Sequence, residues 1–426
     1  MTTQDKNIIL MVGPAPKAYR EWVKKQKSLG DTRRYFNLQS KRQKRDVIEL
    51  CREDLDKVIQ CSFSDPDSIR KSVKEFEKDI LVVTCRSEAK MWYFANAIPH
   101  LPYLKTPTSD SLRWSVDKIS MRRRFKAYDT SITPKFYVLK DDKKATIEKI
   151  EKNVGYPCVV KPSGLAQSLL VTTCYHREEL EKTLSKVFKK VGILNRVYKE
   201  SQEASRPTVL VEEYMEGDMY SIDGVVGSRG KKYFFPPVFV KTGDKAGFDD
   251  MFGYMQITPT KLKKESIQDA EHVVGQAIRS LGLRSTSFHA ELLKTEDGWK
   301  MIEIGPRIGG FRDDLYRLST GMDYTANDIA IRIPEKPVIP KKGIGHSAAM
   351  KIFAKKEGRI KSIKGFRKTQ ELESIESIKQ NKKKGDMAKF AKNGGLSVFN
   401  IILFNEDRSK LLADIRRIEK DLVVNV

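Results

Sequence analysis

The 426-residue chain has no apolar run long enough to cross a membrane, no Cys-x-x-Cys pair, no cysteine–histidine spacing of a metal site and no Gly-x-Gly-x-x-Gly. A dinucleotide site and a membrane partner are therefore not expected. The first apolar run, residues 8–12, is only a strand's worth and is followed by Gly13-Pro14 rather than by a cleavage site, so no secretory leader is expected. Five scattered cysteines (Cys51, Cys61, Cys85, Cys158, Cys174) exclude a disulfide framework and read as buried reduced thiols. The expectation is a cytoplasmic protein. Acid is the scarcer charge, with 56 Asp and Glu against 80 Lys and Arg and a net charge of +24. Most of this excess reads as solvated lysine on helix faces. The densest stretch, residues 351–384, includes Lys379, Lys382, Lys383 and Lys384 and reads as surface that guides an anionic substrate. No nucleic-acid motif accompanies it, so nucleic acid is not an expected partner.

A hydrophobic content of 39% supports a sizeable core and more than one packed unit. Residues 7–105 alternate buried strands (7–12, 80–85) with helical stretches, the pattern of a parallel sheet covered by helices. Residues 99–107 read as a linker. One helix is expected over 116–128, a strand over 135–139, a helix over 146–153, a strand over 158–162 with a hairpin partner in 169–174, a helix over 178–191 and a strand over 209–215. Residues 266–281 place Ile267, Ala270, Val273, Val274, Ala277, Ile278 and Leu281 on one stripe of a helix. From residue 347, short strand-like runs and lysine-rich loops suggest a smaller third unit.

The most informative segment is 288–305, two strands joined at Glu296-Asp297-Gly298. A three-residue loop with Gly298 in the left-handed position sets Thr295 opposite Trp299 and, counted back, Glu291 opposite Glu303. Two carboxylates then share one face with Cβ atoms about 5 Å apart, which is unfavourable unless something neutralises them. A divalent cation does so, and Mg²⁺ commonly takes one or two carboxylates with nucleotide phosphates. The alternatives are a solvated face or arginine partners. A one-residue slip would send the acids to opposite faces.

With this hairpin on the page, the sequence resembles the ATP-grasp superfamily, in which two acids on late strands hold the metal and the second begins a Glu-x-Asn-x-Arg motif. That motif reads here Glu303-Ile-Gly-Pro-Arg307. Gly305 at the Asn position departs from biotin carboxylase and the D-alanine ligases and is more similar to the L-amino acid ligase branch of carboxylate–amine ligases. Other marks follow in order. They are Asp117-Lys118 opening a helix with Met121-Arg122 behind it, Val159-Val-Lys161-Pro162, the hinge Glu212-Glu213-Tyr214-Met215, and Gly217 to Ser221. The resemblance spans about residues 110–330. It implies that Lys118 and Lys161 contact ATP phosphates, that Glu212, Glu213, Tyr214, Met215 and Ser221 belong to the ATP site, and that Glu291 and Glu303 bind Mg²⁺ or Mn²⁺. The ribose-binding Glu of many relatives is Met219 here, leaving Asp218 or Asp223 as substitutes.

Physical chemistry supports these positions. Lys161 ends a strand beside Pro162-Ser-Gly164 and supplies a point charge for phosphate. The loop 162–168 holds the place of the phosphate-covering loop but has one glycine, with Leu165 as a bulky lid. Of Glu212 and Glu213, which alternate across a strand, the inward one is an acceptor for the adenine amino group. Arg307 offers a planar guanidinium to a carboxylate or acyl phosphate and is the expected catalytic residue. Gly309 and Gly310 suit a close backbone approach to substrate. His289 and Gln256 read as structural, and residues 241–250 as a cover for the substrate side.

The expected fold is α/β and α+β: an N-terminal Rossmann-like pre-ATP-grasp domain (1–110), a two-lobed ATP-grasp domain (111–340) and a lysine-rich C-terminal α+β unit (341–426). The expected activity is ATP-dependent carboxylate–amine ligation through an acyl phosphate, with ADP and phosphate released and an amino acid or peptide as substrate. The alternatives are a degenerate ATP-grasp protein that binds nucleotide without turnover, a carboxylase or carbamoyl-phosphate-type enzyme, or a charge-driven nucleic-acid binder. Oligomeric state is left open.

Overall fold

Five consecutive apolar residues offer a strand no polar face, so β1 (Ile8–Val12) is usable only in the middle of a covered sheet. It pairs in parallel with β2 (Arg34–Ser40) and β4 (Ile80–Thr84), and β2 with β3 (Lys57–Cys61), giving the order β3-β2-β1-β4. The crossovers carry α1 (Lys17–Ser28), α2 (Arg45–Asp54) and α3 (Pro66–Lys74), and α4 (Met91–Ala97) follows β4. Alternate residues of β1 feed two cores: Ile8, Leu10 and Val12 on one face, Ile9 and Met11 with Tyr19 and Val23 on the other. The computed structural model describes residues 6–163, 169–201 and 208–426, the side chains of 193–201 excepted. Among the described residues no helix is long and apolar enough to cross a membrane.

The helix expected over 116–128 starts two residues later, and a helix not expected from sequence precedes it. Between α5 (Ser109–Val116) and α6 (Lys118–Tyr128), Asp117 leaves helical geometry and its carboxylate caps α6 by accepting from the Ser120 amide at 2.9 Å. A second sheet follows, ordered β5-β8-β6-β7, from β5 (Phe136–Leu139), β6 (Cys158–Pro162), β7 (Thr172–Cys174) and β8 (Val209–Glu213). The apolar stripe of α8 (Arg177–Ser201), with Leu180, Leu184 and Val187, packs on it together with Ile147 and Ile150 of α7 (Lys144–Asn153).

The third sheet is the largest. Its order is β14-β13-β9-β11-β12-β15-β20-β18, with β10 (Lys232–Phe234) added beside β9. It contains β9 (Asp218–Val226), β11 (Val238–Thr242), β12 (Gly253–Thr258), β13 (Thr286–Thr295), β14 (Gly298–Gly305) and β15 (His346–Ile352). Short β16 (Gly358–Arg359) and β17 (Ser362–Lys364) lie outside it, as do their partners β19 (Met387–Ala388) and β21 (Val423–Asn425). Strands β18 (Ile375–Gln380) and β20 (Phe399–Asn405) extend the large sheet through β15, so C-terminal residues are hydrogen-bonded in continuity with the strands before them. On one face, Ala270, Val274, Ala277 and Ile278 of α9 (Lys264–Ser280) pack against Leu292, Met301 and Ile304. Next to the strands lie α10 (Arg312–Thr320), which follows β14, and α13 (Arg408–Asp421), which follows β20.

The hairpin reaches its expected register by an unexpected route. The loop is Glu296-Asp297, so Thr295 faces Gly298 rather than Trp299, and Gly298 has the left-handed φ of +100°. A bulge then intervenes: Leu292 faces Met301, but Glu291 faces Glu303, and Ile302 is the extra residue. Met301 and Ile304, both fully buried, consequently share the core face, while Ile302 and Glu303 share the other.

The bulge also frees the Ile302 carbonyl, and Arg122 of α6 takes it. Arg122 Nη2 donates to Ile302 O at 2.7 Å and to Glu212 Oε2 at 3.1 Å, and its Nε donates to Glu212 Oε1 at 2.6 Å. One buried guanidinium thus ties the second sheet to the edge of the third. Burial alone would raise the Glu212 carboxyl, but Arg122 and Lys161 outweigh it and hold it at about 2. A group depressed in this way stabilises the fold fully above its unfolded value of 4.5 and loses that contribution as pH falls toward 2. Arg122→Met should therefore cost about 3–5 kcal/mol at neutral pH, because it strands a buried carboxylate. Urea unfolding should show this loss shrinking between pH 4.5 and pH 2.

Candidate active site between the second and third sheets

The facing acids Glu291 and Glu303 are partly buried and each already meets a cation or its precursor. Lys118, the first residue of α6 after its Asp117 cap, approaches Glu303 at 3.1 Å. Lys118 above all holds the Glu303 carboxyl well below the usual carboxylate range. Burial disfavours the Lys118 ammonium, but Glu303 and then Glu88 more than restore it. Glu291 meets His289 Nε2 at 3.2 Å.

The support of Glu291 runs deeper. His289 Nδ1 bonds the fully buried Asp223 at 2.9 Å, and Asp223 also accepts from Arg312 Nε at 2.9 Å. Arg312 further donates to Ser221 Oγ at 2.6 Å and to Gln256. Burial would lower the His289 imidazole, but Asp223 outweighs it and raises the group above its ordinary value. Asp223, which burial would raise, is held at about 2 by His289 and Arg312. Gly309 is the close approach that permits this packing, since a Cβ there would lie 2.6 Å from His289 Nδ1 and 2.9 Å from Arg312 Cγ. The expected approach of Gly309 to substrate is thus an approach to His289.

Three expectations give way here. Ser221 is fully buried with its hydroxyl bonded to Asp223 and Arg312, so it presents no surface to a nucleotide. Asp223 is spent in the same way and cannot serve a ribose, whereas Asp218 is exposed and pairs with Lys245 at 2.7 Å. Glu212 is the inward acid of the hinge, but Arg122 and Lys161 (2.7 Å) occupy its oxygens, so it is not an open acceptor for an adenine amino group. Glu213 accepts from the Lys135 amide at 2.9 Å. At the end of the hinge the Tyr214 amide donates to Pro157 O at 3.0 Å, while the Tyr214 carbonyl and the Met215 amide have no backbone partner among the described residues.

Lys161 and Lys118 are thereby aimed by carboxylates from the second and third sheets respectively. Arg307 extends from the end of β14 to Glu88, just before α4 of the N-terminal unit. Burial disfavours its charge and Glu88 restores it. Of the loop 162–168, residues 164–168, including Leu165, lie outside the described residues. Segment 241–250 packs Phe248 into the core of the C-terminal strands and is tied by an Asp249–Lys392 pair at 2.8 Å.

Glu88, Arg122, Asp223, His289 and Arg312 were not assigned site roles by sequence reasoning, apart from the ribose suggestion for Asp223. Arg122 and Asp223 stand within or beside the family marks, but their partners lie 90 and 66 to 89 residues away, which no local pattern reveals.

The donor set fits a magnesium–nucleotide. Among the described residues no three His, Cys, Asp or Glu side chains are placed to hold a metal by themselves. Two carboxylates beside two lysines and an arginine instead suit an ion that completes its shell with phosphate oxygens and water. Arg122 Nη1, buried and without a partner among the described residues, is a further donor at the same junction.

The chain is similar to known proteins in sequence and in fold. Residues 154–313 match the ATP-grasp domain family. The chain is 36% identical over 222 residues to a D-alanine–D-alanine ligase of Bacillus velezensis, covering 49% of this chain and 58% of that protein. It is 27% identical over 207 residues to an alanine–anticapsin ligase of Bacillus amyloliquefaciens, covering 46% and 42%. The chain spans about half the length of the curated relatives it matches. In fold, it superposes on the L-amino acid ligase of Bacillus licheniformis with a TM-score of 0.73 and 17% identity over 99% of both chains. Residues 154–313 thus match the ATP-grasp domain family, within a chain that shares its whole fold with that L-amino acid ligase.

Proposed function

We propose that this protein is an ATP-dependent carboxylate–amine ligase that works through an acyl phosphate. The observation that carries the reading is the facing pair Glu291 and Glu303, with Lys118 on Glu303 and Arg307 at the end of the same strand. The matched relatives named as ligases of alanine favour amino acids or peptides as substrates. The N-terminal unit, 1–110, contributes Glu88 to this place, the segment 111–340 contributes the nucleotide-side residues, and 341–426 closes the third sheet.

The adenine edge suits the hinge, where the Tyr214 carbonyl accepts from its amino group and the Met215 amide donates to its ring. Lys161 and Lys118 lie toward the phosphates, each held in place by a carboxylate. A magnesium or manganese ion on Glu291 and Glu303 supplies charge neutralisation for the phosphoryl oxygens. Glu291 is oriented for that role by His289, Asp223 and Arg312, the kind of outer support that fixes a metal ligand. Ser221 belongs to this support rather than to the nucleotide contact.

A carboxylate is a poor electrophile because its oxygens leave badly. A substrate carboxylate oxygen attacks the γ-phosphorus, the bond to the β-γ bridging oxygen breaks, and ADP leaves. The amine then attacks the acyl carbon, phosphate departs with the former carboxylate oxygen, and the amine proton passes to solvent. Arg307 holds the carboxylate for the first step and stabilises the oxyanion in the second, once substrate replaces Glu88 as its partner. Lys118 and Lys161 meet the charge that spreads over the phosphoryl oxygens.

Glu303→Gln should lower kcat for ADP release by at least about 100-fold, with an unchanged circular dichroism spectrum. Turnover at the wild-type rate would remove the hairpin from the mechanism. Oxygen-18 in the substrate carboxylate should appear in the released phosphate. AMP release with all label left in the product would establish adenylation instead and end this reading.

A further inference from the structure

Lys351 opens the basic stretch that reads from sequence as surface charge, yet the structure sets it apart from the rest. Lys379, Lys383 and Lys384 are exposed, whereas Lys351 is partly buried on β15. Its ammonium lies 5.7 Å from the ring centre of Phe311 and within electrostatic range of Glu291 and Arg312. It therefore faces the same side of the third sheet as the Glu291 support network.

What distinguishes Lys351 is the missing anion. Lys118 is held by Glu303 and Lys161 by Glu212. Among the described residues Lys351 has no hydrogen bond and no ion pair; beside the Phe311 ring it meets only the more distant charges of Glu291 and Arg312. The nearby charges do not serve it: Glu291 is engaged by His289, and Arg312 is itself a cation committed to Asp223. A partly desolvated ammonium without a counter-charge is unfavourable unless a ligand supplies one.

The position fits a second subsite. Phe311 follows Arg307 by four residues and has a left-handed φ of +63°, a conformation rarely kept by a bulky residue without reason. Its ring stands against Lys351, on the chain segment that leads away from Arg307. Two cations thus serve two different places: Arg307 at the end of β14, and Lys351 beyond Phe311.

We propose that Lys351 binds the anionic group of the amine substrate, so that the amine donor is an amino acid or peptide with a free carboxylate and not a simple amine. This rests on the ligase reading for its setting and adds to it the identity of the subsite and the chemistry of the second substrate.

The test uses the full-length protein with ATP and magnesium and a saturating carboxyl substrate. An L-amino acid as amine donor is compared with its C-terminal amide, which keeps the amine and lacks the anion. Lys351→Met should raise KM for the free acid by about tenfold or more relative to its effect on the amide, the scale of one charge-assisted hydrogen bond. Lys351→Arg should recover most of that loss. Equal effects on acid and amide, or no recovery with arginine, would overturn the proposal. Absence of ADP release with any amino acid pair would sink the ligase reading separately. In that event, calorimetric binding of a panel of L-amino acids to Arg307→Met and to Arg307→Met/Lys351→Met reads the subsite without turnover. Weaker binding by the double variant supports Lys351 as the anion site, and identical heats overturn it.

Discussion

A guanidinium buried between two sheets is an expensive object, and the arrangement around Arg122 explains why this one persists. Its Nε and Nη2 bind both oxygens of Glu212 on the second sheet, and Nη2 also reaches the Ile302 carbonyl on the third. The helix that carries it begins one turn earlier with Lys118, so the same element that joins the sheets also delivers a lysine to Glu303. Glu212 in turn aims Lys161. Take away the guanidinium and the two lysines lose their common reference.

The same economy governs the other acid. Glu291 is not positioned by its own strand alone but by a buried series of alternating charges, His289, Asp223 and Arg312, that spans β13, β9 and the start of α10. Each member is desolvated, and each has a partner of opposite sign or hydrogen-bonding complement, which is the condition under which buried charge is tolerated. Charge alternation of this kind fixes the geometry of a carboxylate more firmly than packing could.

Much of this was legible in the sequence, and the places where it was not have physical causes. The parallel N-terminal sheet followed from β1 and β4, whose apolar runs admit few alternatives. Strand β2 gave no such signal, because Asn37 and Gln39 sit in its middle; both are fully buried, and Asn37 donates to the Met11 and Gly13 carbonyls. The facing of Glu291 and Glu303 was read from a loop one residue too long, and the bulge at Ile302 supplied the missing residue. Local patterns capture turns and periodicity, but not a bulge whose Ile302 carbonyl is taken by Arg122 from an element 180 residues away. For the same reason the sequence showed which acids and bases exist near the site and not which of them are already paired, as Ser221 and Asp223 demonstrate.

The strand order of the third sheet has a consequence for how the chain is made. Along the ribosome's direction β12 is complete by residue 258, yet its outer edge stays unpaired until β15 arrives at 346–352. Strand β18 is synthesised next but cannot join, because its place is beyond β20, which is made last. During synthesis an open edge therefore moves outward from β12 to β15 and is covered only when residue 405 has emerged. A nascent chain with a waiting strand edge invites pairing with its neighbours. Lys379, Lys383 and Lys384 are exposed on or beside β18, the last strand of that edge, where charge disfavours such pairing.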